Sequence, residues 1–474
     1  MVLNVSFMQE LLNTVAEQGR ALLPKGLFGL GNEESVEELA RALISGRGEA
    51  SGVAIARQLL MHYNELSGDE QGKFFRFLAD TMGPDPAAIA AAAQDYLDQP
   101  TPAALSALQE CVESRRCELF RRLNLAPGAT AGIVGMRKDL AAQADPDGTL
   151  KAVDADLRSL LQTWFNRGFL VLKRIDWQTP AAILEKIIAY EAVHEIKGWD
   201  DLRRRLDPVD RRCFAFFHPS LVDEPLIFVE VALVNAMPSS IAPLISSGRA
   251  TAPNNSEPTT AVFYSISNCQ EGLKGISFGN FLLKQVVEDL VRENPSLKTF
   301  VTLSPVPHFA RWLDRAVAAA NVTPGTVTDA DRKNLALLND PRWTRDETLH
   351  AELKSSLMAL SAYYLMSAKS DDNRPVDPVA RFHLGNGARL ERINWLADTS
   401  EKGLREGHGL MVNYRYEIKD IEKNHEAYAN DGTVAVSKAA RAWLRATEVP
   451  KPVNAAKTML ALPGVTGRRS QAPG

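Results

Sequence analysis

The sequence predicts an α+β protein: an N-terminal all-α helical bundle followed by a mixed α/β domain. Two observations carry this reading. Residues 1 to about 150 repeat apolar side chains at helical spacing, with no strand-like alternation. From about 155 short β-rich runs take over, and Ala261 to Pro305 reads strand, glycine-bearing loop, helix, strand. The expected division is 1–154 for a helical, oligomerising domain, 155–460 for the mixed domain and 461–474 for a disordered tail.

In the first part, Phe7, Leu11, Leu12 and Val15 mark one helix face, and Leu39, Ala42 and Leu43 another. Gly26 to Gly31 and Gly83-Pro84-Asp85-Pro86 break the pattern as turns. The alanine-rich run Ala87 to Leu97 has strong helix propensity. Beyond 155, Val171, Leu172 and Ile175 lie in a short strand-like run, and Cys213 to Leu221 and Glu224 to Val234 are stronger. The last is nearly all apolar around one acid, Glu230, as in a strand buried on both faces. Glu230 is read as a structural carboxylate, with a functional role as the alternative.

The central segment continues with AVFYSIS (Ala261 to Ser267), a loop holding Gly272, Gly275 and Gly279, and a helix from Phe281 to Glu293. KTFVTLSP then returns as a strand ending at Ser304. Such a loop offers main-chain N–H groups and a helix N-terminus to a phosphate. A hydroxyl at the end of the next strand then lies near whatever the phosphate carries. A proline-opened helix follows Ser304, then helical segments around 331–339 and 344–368. Phe382 begins a stretch with His383 and Gly385-Asn386-Gly387, Gly409 to Ile418 alternates as a strand with Tyr414 and Tyr416, and a Lys/Ala/Arg-rich helix runs to about Ala446.

Composition excludes several classes. The chain has 474 residues, enough for two to four domains and a large core. Net charge is −4 and no long basic run occurs, which disfavours broad nucleic-acid binding. No run of about 18 apolar residues appears, so no membrane span is expected. The four cysteines, Cys111, Cys117, Cys213 and Cys269, form no CxxC pair, which argues against a zinc site and suits a reducing compartment. Cys269, before the glycine loop, is read as a passive small residue. The first residues show no basic head or cleavage-like site, so secretion is not expected, and the closing QAPG is not a peroxisomal tripeptide.

Each candidate residue has a plain structural role available. Ser304-Pro305 suits a helix start with serine as N-cap, and His383 suits a core histidine. Asn386 between two glycines suits a tight turn, and Tyr416 a half-buried strand. Their joint occurrence says more. Gly275, Ser277 and Gly279, followed by Leu282 and Leu283, resemble the pyrophosphate loop of the GNAT acetyltransferase superfamily. The phrases FYSISNCQEGLKG, TLSPVPHFARWL, FHLGNGARLERINWLAD and GLMVNYRY, in that order, resemble malonyl-CoA decarboxylases over most of the chain.

That resemblance implies a GNAT-like catalytic domain and the reaction malonyl-CoA plus a proton to acetyl-CoA and CO₂, with no metal or organic cofactor. It places the catalytic roles on Ser304 and His383. It places CoA binding on Lys274, Gly275, Ile276, Ser277, Phe278, Gly279 and Asn280, with Asn386 and Tyr416 as further contacts. His383, with an ordinary pKa of about 6.5, is expected to protonate the enolate. Some members carry an acid where this chain has Ser277. The expected partner is malonyl-CoA, with no nucleic acid and no membrane, in a cytoplasmic homo-oligomer, dimer or tetramer. The alternatives are a CoA-dependent acyltransferase with Tyr416 as general acid, and a non-catalytic CoA sensor.

Overall fold

Residues 34–45, 48–246, 257–276, 282–319, 327–371 and 373–445 are described by the computed structural model of the chain. The expected helix face at Phe7 to Val15, the turn at Gly26 to Gly31, Ser277 to Asn280 of the glycine loop and the tail 461–474 lie outside these residues.

All regular structure from Val36 to Trp164 is helical among the described residues. Ser35 and Ser67 close capping boxes with Glu38 and Glu70, each satisfying amides that a helix start leaves open. Leu39, Phe74, Phe75, Phe120, Ile133 and Leu157, from five helices, are buried in one core. The alanine-rich helix Pro86–Asp98, capped by Asp85, pairs instead with Pro102–Val112. Neither buries a residue, and Leu97, Leu105 and Val112 stay exposed. The last helix, Lys151–Trp164, runs through the expected 154/155 boundary.

The second part is built on a mixed eight-stranded sheet: β1 Val171–Ile175, β2 Arg211–Phe217, β3 Pro225–Val234, β4 Thr260–Asn268, β5 Thr299–Thr302, β6 Ser304–Pro305, β7 Arg389–Asn394 and β8 Met411–Arg415. Its order is β1-β2-β3-β4-β5-β8-β6, with β7 also paired to β8. Only β4 and β5 run parallel. A parallel pair needs a crossover, and the helix Leu282–Glu293 supplies it. β3 is buried along almost its whole length, as its apolar run requires.

The structure adds detail at three places, and Ser304 ends a strand as expected. Ser304 does not cap a helix: it pairs with Val412 of β8, and the next helix starts only at Phe309. The stretch from Phe382 contains a short helix, Pro378–Gly385, and then β7, whose alternation is blurred by four charged or amide side chains in six residues. The single helix expected up to Ala446 is two, Ile421–Asp431 and Lys438–Arg441, because Gly432 at φ 63° ends the first.

Candidate active site

Residues two apart in extended chain share a face, and Thr302 and Ser304 use this at the point where β5 passes to β6. The Ser304 hydroxyl donates to Thr302 Oγ1 at 2.9 Å. The Tyr414 amide, on β8, donates to the same Oγ1 at 3.1 Å. His383 arrives from the helix Pro378–Gly385, whose N-terminus is fixed by Asp377 accepting from the Ala380 amide. Its ring stacks on Tyr414, centroids 4.6 Å apart and planes 24° from parallel. Nε2 then lies 3.0 Å from Ser304 Oγ, and Nδ1 lies 2.8 Å from the Tyr416 hydroxyl.

These bonds have one consistent direction. Thr302 Oγ1 takes the Ser304 proton, so Ser304 Oγ faces Nε2 as an acceptor and Nε2 carries the hydrogen. Nδ1 is then the lone pair that accepts from Tyr416. Burial favours the neutral forms: His383 is 2% exposed, and desolvation lowers its pKa to about 3. The Tyr416 phenol is raised well above its ordinary value by the same cause. The result is a buried chain of uncharged groups, Tyr416 to His383 to Ser304 to Thr302. At neutral pH this imidazole is not the half-protonated group that its ordinary pKa suggests.

A cleft of about 750 Å³ reaches the helix that carries His383, although Ser304, His383 and Tyr416 themselves lie behind its lining. Lys274, Gly275 and Ile276 line one wall, and Phe382, Gly385 and Asn386, flanking His383 on its helix, line another. Gln270, Arg381 and His425 add polar groups. Gly275 has φ 78°, a conformation in which glycine carries no steric cost. Gly387 follows Asn386 at φ 80°, and a Cβ there would stand 2.2 Å from the Ile421 carbonyl oxygen. The turn expected around Asn386 is therefore real, and the Asn386 amide nitrogen donates to the Phe382 carbonyl at 2.8 Å. Pro305 borders a smaller cavity of about 150 Å³, and Ala192 borders both.

Ser304 and Tyr416 are thus joined through His383, one at each ring nitrogen, while Lys274, Gly275, Ile276 and Asn386 meet at the cleft. Ser277, Phe278, Gly279 and Asn280 lie outside the described residues. Tyr416 falls just beyond β8, its amide donating to the Phe300 carbonyl at 2.8 Å. Thr302 carries a signal in its place two residues before Ser304, on the same face of the extended chain. The Tyr414 stack and the contacts of Arg137 and Arg158 with the glycine loop leave no sequence signal, because they join distant segments.

Other titratable groups read as structural. Glu230 is fully buried and accepts from Arg205 at 3.0 Å, burial pushing its carboxyl up against the pull of that cation. Burial also raises the Cys269 thiol, which keeps it protonated and unreactive. Among the described residues no cluster of His, Cys, Asp and Glu is arranged to hold a metal ion, and no helix is long and apolar enough to cross a membrane.

Comparison with known proteins agrees across both parts of the chain. The family model "Malonyl-CoA decarboxylase C-terminal domain" matches residues 168–454, and "Malonyl-CoA decarboxylase N-terminal domain" matches 82–165. The mitochondrial malonyl-CoA decarboxylase of Anser anser anser is 38% identical over 341 residues, 68% of this chain and 67% of that one. The crystal structure of malonyl-CoA decarboxylase from Rhodopseudomonas palustris shares 52% identity with a TM-score of 0.83, covering 86% of this chain and all of that one. That from Agrobacterium vitis shares 53% with a TM-score of 0.81, covering 86% and 99%. By the match of its sheet domain and helical segment, and by this structural overlap, the chain belongs to the malonyl-CoA decarboxylase family.

Proposed function

We propose that this chain decarboxylates malonyl-CoA to acetyl-CoA and CO₂, with Ser304 and His383 handling charge and proton. The observation that carries the assignment of roles is the 3.0 Å contact between Ser304 Oγ and His383 Nε2, inside an uncharged chain beside the cleft. The bond from the α-carbon to the carboxylate breaks, and its electron pair moves into the thioester as an enolate. No cofactor is required, because the thioester is its own electron sink. The barrier falls if preorganised donors meet the oxygen where charge develops, and if the carboxylate is held perpendicular to the thioester plane.

In this reading the Ser304 hydroxyl leaves Thr302 and turns to the substrate, while Nε2–H still donates to Ser304. The α-carbon takes the serine proton, Nε2–H donates to the alkoxide oxygen left on Ser304, and His383 and Tyr416 keep their own protons. A solvent proton restores the Ser304 hydroxyl, so one proton is consumed per CO₂ released. Lys274 to Ile276 hold the nucleotide half, and Asn386 lies on the path between. The test is incubation with malonyl-CoA and no acyl acceptor, followed by mass spectrometry. Acetyl-CoA is expected from the wild type, with turnover lower by roughly 10²–10³-fold in Ser304→Ala and in His383→Ala. No product without an amine acceptor points to acyl transfer instead, and wild-type turnover in both variants removes their roles.

Self-association belongs to the same reading. The helix pair Pro86–Asp98 and Pro102–Val112 buries nothing within one chain while exposing Leu97, Leu105 and Val112. A second copy is the occupant proposed for that face, and light scattering reads it as a mass above 52.0 kDa.

A further inference from the structure

The loop Glu271 to Ile276 is held from the helical domain as much as from its own. Arg137, buried on the helix Ala129–Ala142, donates through Nη1 to the carbonyls of Gly272 at 2.7 Å and Lys274 at 3.0 Å. Its Nε donates to Asp154 at 2.8 Å, which fixes the guanidinium from the other side. Arg158, exposed on the helix Lys151–Trp164, donates to the Gly275 carbonyl at 3.2 Å. Gly272 sits so close to the first helix that a Cβ would stand 1.9 Å from the Val134 carbonyl oxygen. No side chain fits there without moving the loop.

Three carbonyls of one short loop therefore point at guanidinium groups of the other domain. Within the loop the Leu273, Lys274 and Ile276 amides donate to the Gln270, Glu271 and Leu273 carbonyls, so amides and carbonyls together hold its backbone in one shape. Asp154 offsets the charge of Arg137, so the positive field beside the loop comes mainly from Arg158. Arg137 is already immobilised by Asp154, so little side-chain entropy remains to be lost when ligand orders the loop.

We propose that Arg137 and Arg158 are positioning residues for coenzyme A: the helical domain sets the shape of the nucleotide loop and so forms half of the substrate site. The proposal rests on the CoA-thioester reading above, yet affinity for CoA itself tests it apart from turnover. Calorimetric titration of CoA into Arg137→Met, Arg158→Met and Gly272→Ala, with malonyl-CoA kinetics beside it, is the experiment. Affinity for CoA should fall about tenfold in Arg137→Met, the scale of a lost pair of charged hydrogen bonds. KM should rise in step while kcat stays within about twofold of wild type, as for lost uniform binding. Gly272→Ala should match it from the opposite side of the contact. The exposed Arg158→Met should fold whatever the others do, and show a smaller loss of the same kind. Unchanged CoA affinity in Arg158→Met and in whichever buried variants fold overturns the proposal, as does a fall in kcat at unchanged affinity. Clamp-dependent CoA binding by a protein that leaves malonyl-CoA intact supports it and overturns the decarboxylase reading alone.

Discussion

Acid should act on this site through stability before it acts through catalysis. His383 is fully buried, and desolvation lowers its pKa from 6.5 to about 3. Its burial as neutral imidazole is without cost at pH values above 6.5, where the unfolded chain is neutral too. As pH falls through 6.5 the unfolded chain takes up a proton that the native site refuses, so stability drops, and the drop levels off near pH 3. At pH 5 the unfolded group lies 1.5 units below its pKa, which at about 1.4 kcal/mol per unit is about 2 kcal/mol lost from this residue. His194, lowered to about 4 mainly by burial, adds a loss of the same sign, so His383→Gln is needed to separate them. The direct assay is ¹⁵N NMR of selectively labelled histidine, practicable with eight histidines in the chain. Between pH 5 and 8 the His383 ring should keep hydrogen on Nε2 and a bare Nδ1, and kcat/KM should show no inflection near 6.5 from this group. A His383 resonance that titrates between pH 6 and 7, with a matching limb in kcat/KM that disappears in His383→Gln, would refute the neutral-relay argument.

Thr302→Val keeps the shape of the side chain but removes the acceptor shared by Ser304 and the Tyr414 amide. A buried donor left without a partner costs about 1–3 kcal/mol, so kcat should fall about tenfold or more and the two His383 tautomers should mix in the ¹⁵N spectrum. Thr302→Ser, which restores the hydroxyl, should recover both, and equal kcat in all three proteins would dismiss an orienting role. For the exposed helix pair, Leu97→Glu combined with Leu105→Glu should lower the mass seen by light scattering without altering the far-ultraviolet circular dichroism, because neither side chain is buried within one chain. An unchanged mass would place the contact between copies elsewhere.

Fold class was readable because it depends on periodicity, which is local. The apolar run of β3 around Glu230 and the glycine loop between β4 and its crossover helix are both segments of fewer than twenty residues. The helix breaks were less readable. Gly432 stops a helix through a left-handed turn that a Lys- and Ala-rich composition hides. At the site, the phrases containing Ser304, His383 and Tyr416 put forward residues that the fold joins by hydrogen bonds, but not their protonation. That depends on burial and on Thr302, which matters only because β8 brings the Tyr414 amide onto its oxygen. Arg137 lies 135 residues before Gly272 in the chain, in a helix with no motif, and only the packing of two domains makes it part of the loop.

A serine hydrogen-bonded to a histidine invites comparison with hydrolases, and the polarity of this chain argues against that role. A hydrolytic histidine accepts the serine proton at Nε2 and is helped by a carboxylate at Nδ1 that stabilises the resulting imidazolium. Here Nδ1 meets a phenol that donates to it, and among the described residues no anion is bonded to the ring. Burial adds a further penalty on that charge. Such a ring is a poor base toward Ser304 and a serviceable donor to it. Decarboxylation asks for that combination: the substrate brings its own electron pair, a nucleophile would waste the thioester by hydrolysis, and what the site must supply is a hydrogen bond to an oxygen gaining charge and one proton for carbon. The same two side chains can therefore belong to opposite chemistries, and the partner at Nδ1 together with the acceptor beyond the serine decides which of them this geometry favours.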